Sequence, residues 1–335
     1  MSRPVLRLGT RRSRLATTQS GWVADLLRAR GIDVEIVEVV TEGDVNYAPL
    51  TQIGGTGVFA SALRQALRAA EVDLAVHSLK DLPVLPEPGL VIAGIPPRED
   101  PRDVLIARDG LRLDDLPQGA SVGTGSPRRA AQLMAHRPDL RIVAIRGNVE
   151  GRIRRTTSGE LDAVVLAGAG LRRLGREDEI TDVIDTAVML PAPGQGALAV
   201  ECRETDPRVV EIVTGLDDAT TRTAVTAERA LLRALEAGCT APVGAYARVE
   251  NGHLRLEAFA GSDDASIALR QENTGDPADP QALGVALAQE LLAAGADRIP
   301  ASMLARTRQA PRTTAQPNDR PDSPRHAGAS KEQTP

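Results

Sequence analysis

The chain has 335 residues, 42% of them hydrophobic, which is enough for two or three domains with separate cores. Its net charge of −5 and its aromatic content of 1% argue against a general nucleic-acid binder, and no apolar run approaches the roughly 20 residues of a membrane span. The start of the chain lacks the apolar region of a secretion signal, and two cysteines are too few for a disulfide framework and lack metal-ligand spacing. We therefore predict a cytoplasmic protein without a metal site.

The first hundred residues alternate between short apolar strands and amphipathic helices, which is the pattern of an α/β sheet. A strand is predicted at 5–9, and Ser13 can cap the helix that follows at 15–30. A second strand leads to a long Gly-rich connection at about 41–57, and loops of this length usually form a lid or stay disordered. A further helix then precedes a buried strand at 72–76.

Polar residues follow the strand at 72–76, and Pro83 stops any regular continuation. Ligands of open α/β sheets bind beyond the carboxyl ends of the strands, which is where Lys80 and Asp81 lie. The chain has 38 Arg and only 2 Lys, so a lysine kept at this point of the folded part indicates a site. A surface ion pair between Lys80 and Asp81 is the ordinary alternative.

Residues 120–176 again alternate strand and helix, which predicts a second, parallel α/β sheet. They include 11 Arg and 4 acidic residues, a local net charge of +7 that suits a small polyanionic ligand. Ser126 is expected to cap a helix whose first turn carries Arg128 and Arg129, a combination that favours anion binding. The next two strand-to-helix turns carry Arg146 with Arg152 and then Arg172 with Arg173, whereas Arg154, Arg155 and Arg176 lie deeper in helices and are expected to face solvent.

The turn-rich segment 191–197 is expected to lead back to the first sheet as the second connection of a hinge. From about residue 220 the pattern predicts a smaller α/β domain with an antiparallel sheet, and beyond about residue 306 it predicts a disordered tail. The predicted division is residues 1–97 with about 196–216 for the first domain, 101–191 for the second, 219–305 for the third and 306–335 for the tail.

The two cysteines have different surroundings in the sequence. Cys202 ends an apolar strand and is expected to be a buried core residue. Cys239 lies in a Gly- and Pro-bounded loop just after a helix, from which a side chain can project between domains. A reactive or covalently modified thiol is therefore expected at Cys239, with a nearby cation to offset the helix C-terminus.

A collinear series of motifs from about residue 5 to residue 299 closely resembles hydroxymethylbilane synthase, also called porphobilinogen deaminase. The resemblance implies three domains, of which the first two are like a type II periplasmic binding protein. It also implies a covalent dipyrromethane cofactor and an activity that joins four porphobilinogens head to tail, releases four ammonias and frees hydroxymethylbilane by hydrolysis. The motifs are Gly9-Thr10-Arg11 with Ser13, residues 76–83 and 98–103, Gly123-Thr124, residues 126–129, 146–148 and 190–197, Glu228-Arg229, and residues 236–244.

The resemblance also implies roles for individual residues. Asp81 would handle the pyrrole N–H and stabilise the positive charge that remains when ammonia departs, and Cys239 would hold the dipyrromethane through a thioether. The cofactor would further be bound by Lys80, Asp81, Thr124, Ser126, Arg128 and Arg129, and substrate or chain carboxylates by Arg11, Ser13, Arg146, Arg152 and Arg173, with Gln195 lining the cleft.

The sequence departs from the family pattern in two places. Many relatives carry basic residues in the Gly-rich loop, where this chain has Glu42, Gln52 and Thr56, so a lid acting through lysine contacts is not expected. Gly125 and Pro127 replace a commoner Ser and Leu, and a proline at the first helical position should strengthen the anion site.

Two other functions are compatible with parts of the sequence. A two-lobed small-anion binding protein without catalysis would share the architecture, but it has no need for Asp81 and Cys239 to face one cleft. A cysteine hydrolase using Cys239 and His77 lacks an evident third orienting residue, and a histidine at a strand end is more often structural. The favoured expectation is a monomer that acts on porphobilinogen and binds neither nucleic acid nor membranes.

Overall fold

The computed structural model describes residues 5–39, 58–238, 241–262 and 265–299. The first unit of the fold contains strands β1 (Leu6–Thr10), β2 (Val34–Glu38), β3 (Leu74–Ser78), β4 (Leu90–Gly94) and β10 (Leu198–Arg203), with helices α1 (Arg14–Arg28), α2 (Val58–Arg68) and α6 (Pro207–Thr214). Its sheet has the order β2-β1-β3-β10-β4. β1 is parallel to β2 and β3, whereas β10 is antiparallel to both of its neighbours.

The second unit contains strands β5 (Asp103–Ala107), β6 (Ser121–Thr124), β7 (Arg141–Ala144), β8 (Ala163–Ala167) and β9 (Asp182–Val183), with helices α3 (Pro127–His136), α4 (Val149–Thr157) and α5 (Gly168–Arg173). Its sheet has the order β7-β6-β8-β5-β9. β6 is parallel to β7 and β8, but β5 is antiparallel to β8. The sheet is therefore mixed and not all-parallel as predicted, because β5 enters from the first unit through the crossover at 95–102.

The two sheets share one strand order. In each, the second, first and third strands of the unit lie side by side, followed by a strand that arrives through a crossover and then by the fourth strand. The crossover strands are β10 in the first sheet and β5 in the second, and the two connections touch where the Glu99 amide donates to the Gly196 carbonyl at 3.3 Å. The paired arrangement confirms the two-lobed α/β architecture that the resemblance implied.

The third unit contains helices α7 (Ala219–Ala234) and α8 (Pro280–Ala293) and strands β11 (Val243–Glu250), β12 (His253–Gly261) and β13 (Ala268–Gly275). The strands form an antiparallel sheet in sequence order, and Leu231, Leu256 and Leu287 are fully buried between sheet and helices. The predicted small antiparallel unit is thus confirmed. The sequence did not indicate β13, since its residues are mostly polar and alternate between exposed and half-buried.

Helix starts follow the predicted capping residues. The Ser13 hydroxyl accepts a hydrogen bond from the Ala16 amide at 3.4 Å, and the Ser126 hydroxyl caps α3 in the same manner. α7 begins at Ala219 because Asp218 caps it through the Thr221 amide at 2.7 Å. None of the described helices is both long and apolar enough to cross a bilayer.

Candidate functional site

A short turn carries Lys80 and Asp81 at the end of β3. Leu79, Lys80 and Asp81 form one 3₁₀ turn, closed by a hydrogen bond from the Leu82 amide to the Leu79 carbonyl at 3.2 Å. Leu79 and Leu82 are almost completely buried, so the two apolar side chains hold the turn on the core from either end. Of the two residues between them, Lys80 is half-buried and Asp81 is exposed.

The ammonium group of Lys80 lies in a region crowded with cations. Its Nζ donates a hydrogen bond to Gln195 Oε1 at 3.2 Å. Burial lowers the pKa of Lys80 to about 8, helped by Arg129 and Arg128 and opposed by Asp81 and Asp103. Burial destabilises the protonated form of Lys80, and a carboxylate bound beside the ammonium group would stabilise it. Lys80 is therefore suited to an acidic ligand.

Arg128 and Arg129 start helix α3 and are both buried, at 3% and 5% exposure. Asp103, at the first position of β5, lies between them with Oδ2 at 2.8 Å from Arg128 Nη1 and Oδ1 at 2.7 Å from Arg129 Nη2. Burial alone would raise the pKa of Asp103, but the two guanidinium groups outweigh burial and hold it far below its ordinary value. Asp103 thus keeps both arginines in place without solvent.

Gln195 connects Lys80 with this buried cluster. Its Nε2 donates to Asp103 Oδ1 at 2.9 Å and to the Pro101 carbonyl at 2.6 Å, while its Oε1 accepts from Lys80. With 1% exposure, its side chain is engaged in positioning these groups. The family resemblance implied a place in the cleft for Gln195 but none for Asp103. A charged residue heading a fully buried apolar strand was the signal that could have found it.

Further basic residues surround the Asp81 turn. Arg152, at the start of α4, donates from Nε to the Gly147 carbonyl at 2.8 Å. Burial lowers the pKa of Arg152, as do the charges of Arg129 and Arg146, whereas Asp81 raises it. These shifts identify the Asp81 carboxylate and the Arg146 guanidinium as electrostatic neighbours of Arg152, so the structure brings the predicted residues of both units together here.

Arg173 lies against the crossover connections, whereas Arg11 and Ser13 belong to the turn between β1 and α1. Arg173 donates from Nη2 to the carbonyl of Gly196 at 2.6 Å, and burial lowers its pKa against the effect of Glu99, which places it on the crossover connections. Arg11 is half-buried in the β1–α1 turn, beside the capping Ser13. Arg154 is exposed as predicted, whereas Arg155 and Arg176 are half-buried and form ion pairs with Glu160 and Glu179.

The third unit closes the cluster on one side. A small cavity, partly open to solvent, is lined by Lys80, Ser126 and Arg128 together with residues of the third unit, among them Leu232 and Gly238. Cys239, the predicted attachment residue, lies outside the described residues, as does the predicted lid segment with Glu42, Gln52 and Thr56. Cationic and hydroxyl groups beside small residues fit an acidic dipyrrole, so the described lining matches the predicted cofactor.

Thr124 and Ser126 prepare the start of α3. Thr124 ends β6 with 3% exposure, and its hydroxyl accepts a hydrogen bond from the Ser126 amide at 3.2 Å. The Ser126 hydroxyl in turn accepts from the amide of Arg129. The two hydroxyls therefore satisfy local amides and set the direction in which the helix start points into the cavity.

Two residues weighed at the start prove to be structural. Cys202 is fully buried, and burial is the main reason why its pKa rises to about 11. His77 is 7% exposed, with Nε2 at 3.3 Å from Glu201 Oε2, and Glu201 is also held by three hydrogen bonds from Arg64. Both side chains belong to the interior of the first unit.

Glu228, a second residue that the sequence reasoning gave no role, ties the three units together. It is fully buried in α7 and accepts two hydrogen bonds from the Arg98 guanidinium, at 2.6 and 3.0 Å. It also accepts from the amides of Gly194, in the second crossover, and Ala247, in β11. One carboxylate therefore fixes both crossovers against the third unit.

Comparison with known proteins gives a consistent family. A model described as "Porphobilinogen deaminase, dipyromethane cofactor binding domain" matches residues 6–211, and "Porphobilinogen deaminase, C-terminal domain" matches residues 222–293. The porphobilinogen deaminase of Thermobifida fusca is 56% identical over 315 residues, covering 91% of this chain and 98% of that protein. Porphobilinogen deaminase 1 of Streptomyces coelicolor is 54% identical, covering 88% of this chain and 97% of that protein.

Solved structures with a similar chain path include periplasmic domains. The Bordetella pertussis BvgS periplasmic VFT2 domain aligns with a TM-score of 0.39 at 18% identity, over 64% of this chain and 87% of that one. The methionine-binding protein MetQ aligns with a TM-score of 0.41 at 14% identity, over 63% of this chain and 89% of that one.

Proposed function

The chain belongs to the porphobilinogen deaminase family, and we propose that Asp81 is the catalytic carboxylate of its hydroxymethylbilane synthase reaction. The enzyme is a transferase of porphyrin biosynthesis with porphobilinogen as substrate and dipyrromethane as cofactor. One observation carries the proposal: Asp81 is an exposed carboxylate at a strand end, and its electrostatic neighbours are Lys80 and Arg152. The alternative of a binding protein without catalysis is not favoured, because the relatives that match nearly the whole of this chain are deaminases.

Each condensation replaces a carbon–nitrogen bond by a carbon–carbon bond. The amino group of porphobilinogen leaves as ammonia, the methylene carbon that remains joins the free α-carbon of a pyrrole, and the α-proton is then lost. When bound, the dipyrromethane supplies the first pyrrole that is extended. Positive charge develops on the substrate ring as ammonia departs, and a fixed carboxylate at Asp81 stabilises it while accepting a hydrogen bond from the pyrrole N–H.

The surrounding cations bind the acid groups. Every porphobilinogen unit carries an acetate and a propionate, so a growing chain is a polyanion. Arg152 is an electrostatic neighbour of both Asp81 and Arg146, which suits binding of substrate carboxylates by the two arginines beside the reacting ring. Arg11, Ser13 and Arg173 are proposed to bind chain carboxylates further along the cleft, with Gln195 acting through the position of Lys80.

The cofactor is proposed to lie in the cavity between the units. Lys80, Arg128 and Arg129, with the hydroxyls of Thr124 and Ser126, would hold its acid groups, and Cys239 would supply the thioether. The support is that Gly238, which precedes Cys239 in the chain, lines the same cavity as Lys80, Ser126 and Arg128.

The division into domains and the assembly state also belong to the proposal. Residues 1–97 with about 196–216, 101–191 and 219–305 are proposed as three domains, supported by the membership of the three sheets. The protein is proposed to act as a cytoplasmic monomer, which sedimentation of the purified protein would test.

The Asp81→Asn variant tests the catalytic assignment. It should fold normally but turn porphobilinogen over at least about 10²–10³ times more slowly, since a fixed charge complementary to the reacting ring is removed. Ammonia release and uroporphyrin absorbance measure turnover. Asp109→Asn is the matched control, because Asp109 is also an exposed aspartate in a 3₁₀ turn that follows a strand, β5. β5 runs antiparallel to β8, so this turn lies at the opposite edge of its sheet from the end of β8. Near-normal turnover by Asp81→Asn would refute its role.

The Cys239→Ala variant tests the attachment separately. Intact-protein mass spectrometry should find the wild-type chain heavier by the dipyrromethane and the variant without it. An intact adduct on Cys239→Ala would rule out this anchor while leaving the role of Asp81 open to its own test.

A further inference from the structure

Arg229 reaches from the third unit to the backbone on both sides of Asp81. Its Nη1 donates to the carbonyl of Leu79 at 3.4 Å and to that of Leu82 at 3.2 Å. Its Nη2 donates to the carbonyl of Pro83 at 2.7 Å. A single half-buried guanidinium therefore bridges the residues that flank the lysine and aspartate of the turn.

The Asp81 turn has little internal reinforcement. It is one 3₁₀ turn with one backbone hydrogen bond of its own, from Leu82 to Leu79, and such short turns leave carbonyl groups without helical partners. Arg229 donates to the carbonyls of Leu82 and Pro83, and it adds a second hydrogen bond to the Leu79 carbonyl, which already accepts from the Leu82 amide. The guanidinium group presents its N–H donors in a rigid planar fork, so it also fixes the carbonyls relative to each other. Because Asp81 is exposed, the direction of its carboxylate depends on the backbone that Arg229 holds.

The helix that carries Arg229 also leads to the loop of the predicted attachment residue. α7 ends at Ala234, and Gly238, four residues later, lines the cavity beside Lys80. Val84, just after the turn, is packed against the core of the third unit. The third unit thus contacts the region of the turn through Arg229 and through the apolar core on which Val84 packs. It also forms part of the cavity wall.

We propose that Arg229 is a positioning residue that fixes the Asp81 turn against helix α7 and so aligns the carboxylate for the reaction. The inference rests on the proposed function, because it assigns Arg229 a purpose only if Asp81 acts on substrate. Arg229 itself does not touch the reacting atoms; it acts through the backbone of residues 79–83.

The competing explanation is that the hydrogen bonds of Arg229 only attach α7 to the first unit. A second arginine of the same helix provides a matched control for this explanation. Arg222 lies on the same helix, two turns earlier, and its Nη2 also donates to two carbonyls of the first unit, those of Ile92 at 3.3 Å and Ala93 at 3.2 Å. Those carbonyls belong to β4, away from the turn. A docking role predicts equal consequences for Arg222→Gln and Arg229→Gln, whereas a positioning role separates them.

The experiment compares Arg229→Gln, Arg229→Lys and Arg222→Gln with wild type as full-length, cofactor-loaded proteins, with loading checked by intact mass. Amide hydrogen exchange of a peptide covering residues 79–84 reads the turn directly and does not depend on activity. We expect several-fold faster exchange in Arg229→Gln, a smaller change in Arg229→Lys, and wild-type exchange in Arg222→Gln. Arg229→Gln should lose about tenfold to a hundredfold in kcat with KM within about twofold, because misalignment of a reacting group acts on the chemical step.

Each result decides between the explanations. Unchanged exchange of the turn in Arg229→Gln, or an equal loss of kcat in Arg222→Gln, would overturn the positioning role. If Arg229→Gln does not fold, Arg229→Lys carries the test, because it keeps the charge and places its donors on a single nitrogen, without the planar fork. If Asp81→Asn turns over normally, the proposed function fails; if only Arg229→Gln does, the proposed function stands and this inference alone falls.

Discussion

The turn after β3 in the first unit and the start of α3 in the second unit present charge to the same cavity, and they do so in different ways. The first keeps its charges near solvent, with Asp81 exposed and Lys80 half-buried. The second buries Arg128 and Arg129 almost completely and compensates them with the equally buried Asp103. An exposed charge costs the fold little, whereas a buried charge must be paired.

Within one site, one aspartate is therefore placed to act on substrate and another to stabilise the fold. Asp81 is exposed to solvent, and the backbone around it is held by Leu79, Leu82 and Arg229. Asp103 is far from free, since two guanidinium groups and the Gln195 amide depend on it. Substitutions at the two aspartates should therefore have opposite profiles in activity and stability.

The largest expected effect on stability is that of Asp103→Asn. Removal of this carboxylate charge leaves two buried cations uncompensated, which should lower the free energy of unfolding by about 3–5 kcal/mol. Asp81→Asn, at an exposed position, should change it by no more than about 0.5 kcal/mol. Urea unfolding of both variants measures the contrast, and equal losses would remove the distinction between the two aspartates.

A smaller effect is expected from two arginines of the same helix, α4. Arg152 lies beside Asp81, whereas Arg154 is exposed to solvent. Arg152→Gln should raise KM for porphobilinogen about tenfold, the loss of roughly one charged hydrogen bond to a substrate carboxylate, and Arg154→Gln should leave it unchanged. Steady-state kinetics at fixed ionic strength provides the measurement. Matching KM values for the two variants would contradict the assignment of Arg152 to substrate.

The smallest expected effect is the pH dependence that Lys80 adds to stability. Its pKa is about 8 in the folded protein and 10.5 in an unperturbed chain. Between these values the unfolded chain keeps the proton that the folded protein releases, so the unfolding free energy rises with pH across this window. Relative to Lys80→Met, wild type should gain on the order of 1 kcal/mol between pH 8 and pH 10. An unchanged difference between the two proteins at both pH values would show that burial does not penalise this ammonium.

Local features of the fold were open to prediction from sequence. Ser13 and Ser126 cap helices because each hydroxyl reaches an amide three residues away, and short apolar runs such as 163–166 form strands wherever they can be buried. The same reasoning missed β5, although all of its residues are buried, and it missed β13 because an edge strand with polar residues has no strong period. The direction of β5 depends on the crossover, which no local pattern encodes.

The candidate site divides in the same way. Lys80 and Asp81 could be singled out from a strand end and from the scarcity of lysine, and the arginines from their repetition at strand-to-helix turns. The partners that hold them could not: Gln195 lies 92 residues from Asp103 and 115 residues from Lys80 along the chain.

The kinds of groups in the cleft and the ends of the elements that carry them follow from local sequence, because capping, turn chemistry and burial of apolar runs act over a few residues. Which charges are exposed and which are paired in the interior depends on how the units pack. Arg229 and Leu82 meet across 147 residues of chain, and such contacts arise only when separate units pack. The free energy of such a contact depends on the burial and geometry of the two groups, and neither can be predicted from their separation along the chain.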